Sequence, residues 1–127
     1  MKAAPTRPSP AAVADAYLAA WNEADPARRA ALLREGWAED ARYVDPLMAG
    51  EGRERIGELI GAVHGRFPGF RFERLGAADG YADHVRFAWS LGPAGEEPPI
   101  KGSDVVELDG GRIKRVIGFL DQVPAAA

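Results

Sequence analysis

The apolar pattern of this chain changes its period once, at Pro68-Gly69, and that change decides what the chain can fold into. An amphipathic helix returns to its buried face every 3.6 residues, a half-buried strand every two. Before the change, Val13, Tyr17, Leu18 and Trp21 predict a helix over about 11–23. Asp25-Pro26 is an N-cap and first-turn pair that opens a second helix, stopped by Gly36. Ile56, Leu59, Ile60, Val63 and Phe67 form the stripe of a third, ended by Pro68-Gly69. Between them, Ala41-Arg42-Tyr43-Val44-Asp45-Pro46 reads as a short strand that stops at proline, followed by a Gly50/Gly52 turn. After the change, strands are predicted at about 70–76, 82–91, 99–108 and 112–120, with Asp79-Gly80 and Asp109-Gly110-Gly111 as hairpin turns. Helices followed by a meander define an α+β domain, with the helices on one face of a sheet long enough to twist and curl.

With 127 residues, the chain is one domain's worth of polypeptide. Its folded part is expected over 11–123. Residues 1–10, with Pro5, Pro8 and Pro10, read as a disordered arm and 124–127 as a flexible tail. The absence of cysteine removes disulfides, thiolate nucleophiles and Cys-based metal sites. No apolar run approaches the roughly 18–20 residues of a membrane-spanning helix, and no signal-peptide stretch is present. Both point to a cytoplasmic protein with no membrane partner. A net charge of −3 with arginines spread along the chain gives no case for nucleic-acid binding. Two histidines without clustered acids give none for a metal. Phosphate-binding glycine loops and a serine nucleophile elbow are missing too, so the expected chemistry uses no cofactor.

Three residues could carry such chemistry. Asp45 ends a strand and precedes proline, so its backbone is held extended and its carboxylate can be aimed as a base. The same placement equally suits a turn-starting aspartate that hydrogen-bonds its own loop. In a strand of period two, Asp104 shares a face with Val106 and Leu108, which points an acid toward an apolar surface. Burial there would favour the neutral acid, able to donate a hydrogen bond. The alternative is a buried carboxylate tied to backbone amides or to Arg86 or Arg115. Tyr17 lies on the buried stripe of the first helix, the ordinary place for a core aromatic. His64 sits near the end of the third helix, where the dipole favours a cation. His84 shares its strand face with Arg86 and Ser90, opposite Val85, Phe87, Trp89 and Leu91. Asp121, alternating with Ile117 and Phe119, could reach a cavity mouth or be solvated.

From about 11 to 121 the chain resembles the SnoaL-like branch of the nuclear transport factor 2-like superfamily. The resemblance rests on the aromatic first helix, on Trp-Ala-Glu-Asp-Ala-Arg-Tyr-Val-Asp-Pro at 37–46, and on Gly-Ser-Asp-Val-Val-Glu-Leu-Asp-Gly-Gly-Arg-Ile at 102–113. It implies a cone-shaped barrel of curved, mainly antiparallel sheet, closed by three helices over an apolar cavity, in a homodimer formed through the outer sheet face. Ketosteroid isomerase, whose oxyanion site holds a buried neutral aspartic acid, belongs to this superfamily. The resemblance gives Asp45 the role of general base and makes Tyr17 and a neutral Asp104 the donors to an oxyanion. Trp21, Phe67, Trp89 and Phe119 would line the pocket.

The reading that follows is a cofactor-independent isomerase or cyclase acting on an apolar carbonyl compound through an enolate. The alternative is a non-catalytic protein that holds a hydrophobic small molecule in the same cavity. A third reading, an outer sheet face that binds another protein, competes with the homodimer for the same surface.

Overall fold

The computed structural model describes residues 7–124. Two helices open the chain, α1 (Pro10–Asn22) and α2 (Pro26–Gly36), each with proline in its first turn. The Ser9 hydroxyl caps α1 by accepting from the Ala12 N–H at 3.1 Å, and Asp25 caps α2 through Arg28 N–H at 3.0 Å. The expected arm over 1–10 therefore overlaps the structured part at its end. Ser9 and Pro10 belong to the helix start, and Arg7 pairs with Asp83. Residues 1–6 and 125–127 lie outside the described residues.

The remaining elements are β1 (Trp37–Val44), β2 (Ala49–Glu51), α3 (Arg53–Arg66), β3 (Phe70–Tyr81), β4 (His84–Pro93), β5 (Ile100–Asp109) and β6 (Arg112–Gln122). They form one six-stranded sheet in the order β2-β1-β6-β5-β4-β3. All neighbours are antiparallel except β1 and β6, which run parallel. The sheet is curved but not a closed barrel, with β2 and β3 as its two edges. β1 begins at Trp37, earlier than the expected 41, because Trp37 pairs with Ile113 across an irregularity in register. β2 was expected as a turn.

Asp79-Gly80 is not the first hairpin turn. β3 bulges between Leu75 and Asp79 and continues to Tyr81, so the turn falls at Ala82-Asp83, with Ala82 at φ 49°. Gly80 serves a close approach instead. A Cβ there would stand 2.7 Å from the His84 carbonyl oxygen and 3.0 Å from Pro10.

Val13, Ala14, Tyr17, Leu18, Ala20 and Trp21 turn inward from α1 and meet Trp37, Phe72, Phe87 and Trp89 in one continuous core. The Tyr17 ring stacks on Trp37 at 5.6 Å and meets Phe87 edge-on at 5.2 Å. Polar clasps fix the helices to this core. The Asn22 amide donates to the Phe72 carbonyl at 2.9 Å and accepts from the Phe72 N–H at 2.8 Å, joining the end of α1 to β3. The buried Arg29 guanidinium donates to the carbonyls of Glu23, Ala24 and Gly57, which ties the α1–α2 turn to α3. No helix among the described residues is long and apolar enough to cross a membrane.

Candidate acid–base site

Register places the site. Val44 pairs with Ile117 along the parallel β1–β6 seam, which sets Asp45 beside Gly118, and Gly118 is the cross-strand partner of Asp104. Gly118 has no side chain, and three groups use the space. A Cβ there would lie 2.8 Å from Asp104 Oδ1, 3.1 Å from Asp45 Cβ and 3.5 Å from the Tyr43 hydroxyl. The Asp104 carboxyl, the Asp45 side chain and the Tyr43 phenol thus crowd over Gly118 and leave less room than a methyl group needs.

Asp104 is 2% exposed, as the alternation with Val106 and Leu108 required. Burial pushes its carboxyl up from 3.8 to about 6. Hydrogen bonding from Tyr17 and the Trp89 indole pulls the other way without cancelling the effect of burial. The negative charges of Asp45 and Asp121 add to the rise. Neither Arg86 nor Arg115 pairs with Asp104. Arg86 pairs with Asp79 at the surface.

Tyr17 is buried against this acid. Desolvation, then the Asp104 charge, holds its hydroxyl well above the usual phenol value, so it remains a donor. Tyr43, which the sequence pattern did not single out, behaves the same way. Burial and the Asp104 charge push its pKa far up, and its hydroxyl donates to Asp45 Oδ2 at 2.6 Å. A signal for it existed, since Tyr43 stands two residues before Asp45 in a strand of period two and therefore on the same face. Asp45 itself is half-buried. Its Oδ1 accepts from the backbone N–H groups of Leu47 at 2.8 Å and Met48 at 2.9 Å, the bonding of a turn-starting aspartate.

The structure also sorts the expected lining. Trp21 and Trp89 are buried in the core on either side of Phe72, with ring centroids 5.6 and 5.3 Å from it. Phe67 is half-buried at the end of α3 and stacks on Phe70. Phe119 is not lining. It is 53% exposed on the outer face of β6, because Val116 and Gly118 hold the inward positions of that strand. Asp121 is on the outer side too, accepting from the Ser103 hydroxyl at 2.6 Å. His64 is occupied in joining helices, its Nε2 lying 2.6 Å from the Trp21 carbonyl oxygen. His84 packs against Tyr81 at the β3–β4 turn.

In the interior Tyr17, Trp21, Trp37, Phe72, Phe87 and Trp89 pack ring against ring. A groove of about 780 Å³ lies over β1, β2 and β6, between Arg42, Glu51 and Arg115, and another of about 470 Å³ lies between α2 and α3. Neither is lined by Tyr17, Trp89 or Asp104. Among the described residues no three His, Asp or Glu side chains gather to hold a metal.

Three helices laid on a curved, open mixed sheet are the architecture of the nuclear transport factor 2-like superfamily. The SnoaL-like domain family matches residues 14–116, and the chain belongs to that family. A candidate isomerase of the SnoaL-like family from Agrobacterium tumefaciens is 47% identical, covering 87% of this chain and 96% of that one, with a TM-score of 0.84. Two more distant structures share the fold. A candidate ketosteroid isomerase from Kribbella flavida is 19% identical, with 93% and 82% of the two chains covered and a TM-score of 0.68. A candidate polyketide cyclase from Sinorhizobium meliloti is 18% identical, with 84% and 93% covered and a TM-score of 0.68. No curated protein matches the sequence at a significant level.

Proposed function

We propose that the chain is a cytoplasmic, cofactor-independent isomerase or cyclase that moves a proton next to the carbonyl of a mostly apolar small molecule. The observation that carries this reading is the convergence of Asp45, Asp104 and Tyr43 over Gly118, with Tyr17 against the buried acid. A carboxylate there can take a proton from carbon, and a phenol that stays protonated can donate to the enolate oxygen that develops. Proton transfer by a positioned group is worth roughly 10²–10⁴ in rate, and preorganised donors in a dry site add several kcal/mol of barrier lowering. Membership of the SnoaL-like family and the 47% identical candidate isomerase support an isomerase or cyclase role. The ligand would enter at the end of the sheet that bears Asp45. Met48, Phe67, Phe70 and Leu120 are only partly buried against the core that holds Trp21 and Trp89.

The test is conversion of a β,γ-unsaturated ketosteroid to its conjugated enone, followed by absorbance. The native protein is expected to give a rate above buffer, which an Asp45→Asn/Asp104→Asn double variant loses while its circular dichroism stays native. A folded native protein with no rate excludes ketosteroid isomerisation and leaves the site as a holder of hydrophobic ligand.

We also propose that a second copy of the chain covers the outer sheet face, where Val44 and Phe119 are 43% and 53% exposed beside the half-buried Val105 and Ile117. Light scattering is then expected to give about twice the 13.6 kDa of one chain, and Phe119→Lys to give the monomer. A native monomer removes the proposal.

A further inference from the structure

The groove between α2 and α3 combines apolar walls with cations that no acid answers. Ala30 and Leu33 of α2 face Gly57 and Gly61 of α3 across about 470 Å³, a volume in the range of small-molecule sites. Three arginines line the same groove, Arg29, Arg34 and Arg53, and among the described residues none of them is in a salt bridge. Arg29 is 6% exposed and bridges the two helices, its partners all being backbone carbonyls. Carbonyls satisfy N–H groups but carry no full charge to balance a buried guanidinium. Arg53 is pinned by Nε and Nη2, which donate to the Trp37 and Arg34 carbonyls at 2.6 to 3.1 Å, while its Nη1 makes no bond within the chain. Arg34 is exposed on the last turn of α2. Of the two acids at the rim, Glu58 pairs with Arg55 at 3.2 Å, which leaves Glu54 against three cations.

From this geometry we infer that the α2–α3 groove binds a small amphiphilic carboxylate, its head on Arg53 Nη1 and Arg34 and its apolar chain along Ala30, Leu33 and Gly57. A fixed guanidinium with a free N–H edge loses little entropy on meeting a carboxylate, and such charge-assisted bonds are about twice as strong as neutral ones. Arg29 adds its charge from the buried side, where it is poorly screened. From Arg53 to Gly61 the groove follows α3 for about 12 Å at about 1.5 Å per residue, room for a medium acyl chain. The apolar walls and the Glu54 and Glu58 carboxylates suit a single charge on such a chain and not a polyanion. Glycine at 57 and 61 keeps the space open: a Cβ at 57 would already touch Leu33 Cδ1 at 3.4 Å, and one at 61 would stand 3.1 Å from Arg29 Nη1. The site is separate from Asp45 and Asp104, and its occupancy does not depend on the proton-transfer reading.

Octanoate, octanol and acetate are the probes, followed through the backbone amide resonances of nitrogen-15-labelled protein. Octanoate is expected to shift the amides of Gly57 and Gly61 and leave that of Gly118 in place, and to bind at least about tenfold more tightly than octanol. Acetate, a head without a chain, should shift nothing at the same concentration. Shifts centred on Gly118 or Phe119, or none at millimolar octanoate, overturn the site, and equal affinity for octanol overturns the role of the arginines. Ala30→Glu and Ala30→Gln place side chains of one size at an exposed helical position of the groove. The glutamate supplies the missing counter-charge and is expected to weaken octanoate about tenfold more than the glutamine does, whereas equal weakening counts against recognition of charge. Gly57→Leu puts a better helix former where the chain would lie and should abolish binding with native circular dichroism. Binding unchanged in that folded variant overturns the proposal.

Discussion

Gly102→Ala is expected to destabilise the fold by about 3 kcal/mol, lowering the thermal midpoint by roughly 10 °C, although it adds a single methyl group. Gly102 faces inward on β5 opposite Trp89, and the indole lies directly over it. An added Cβ would collide with Trp89 Cζ2, stand 2.7 Å from Cε2, and come within 2.6 Å of the Phe119 carbonyl oxygen. Neither obstacle can yield cheaply. Trp89 is held edge-on against Phe72, and the Phe119 carbonyl belongs to the β5–β6 ladder, so relief requires the strands to part or the indole to leave its place. Small-to-large changes in a packed core commonly cost about 1–3 kcal/mol, and the approach here puts this one at the upper end. Urea denaturation followed by circular dichroism measures the cost. Because Trp89 is also the indole beside Asp104, its fluorescence should shift in the folded variant. A variant as stable as the native protein would mean that Trp89 does not pack over Gly102.

The parts of this molecule that were legible in the sequence are those whose signal is a side chain facing one way. The 3.6-residue stripe through Tyr17 and Trp21 gave the inward face of α1, and Asp25-Pro26 marked the start of α2 to the residue. Asp104 could be placed inside because Val106 and Leu108 lie on its face of the strand and the other face carries Ser103 and Glu107. β6 offers no such contrast. Its outer residues Ile117 and Phe119 are as apolar as Val116 and Leu120, so alternation alone cannot choose the buried set, and Phe119 was expected on the wrong side. Gly118 and Gly102 leave no trace in a hydrophobic pattern because they contribute space rather than contacts. Asp79-Gly80 carried a turn signal, yet the bulge in β3 and the packing of Pro10 put that dipeptide inside the strand. The three donors around Asp45 come from Tyr43 and from a turn whose closure depends on tertiary packing, so spacing left the base and the turn-starter open together.

Asp104→Asn is expected to gain stability relative to the native protein as pH rises from about 4 to about 7, while removing the proposed chemistry of the site. Burial raises the Asp104 midpoint to about 6, against 3.8 for an unperturbed group, so between those values the folded protein holds a proton that the unfolded chain has released. Stability therefore falls as pH rises through the window from about 4 to about 6. At about 1.4 kcal/mol per pH unit, the ionised form costs the fold on the order of 3 kcal/mol by pH 7. Asparagine cannot ionise and escapes this loss, while the desolvation of its amide adds a cost that does not vary with pH. The difference in unfolding free energy, variant minus native, should thus grow by about 2–3 kcal/mol in the variant's favour from pH 4 to pH 7 and level off above that. Paired urea titrations across this range measure it, since other carboxylates cancel in the difference. A difference that does not change with pH would mean that Asp104 ionises as freely in the folded chain as in the unfolded one. Such a pH dependence has a functional consequence. The ionised acid at position 104 is thus a stability cost at neutral pH that packing does not explain, as expected of a group kept for the proposed chemistry of the site rather than for the fold.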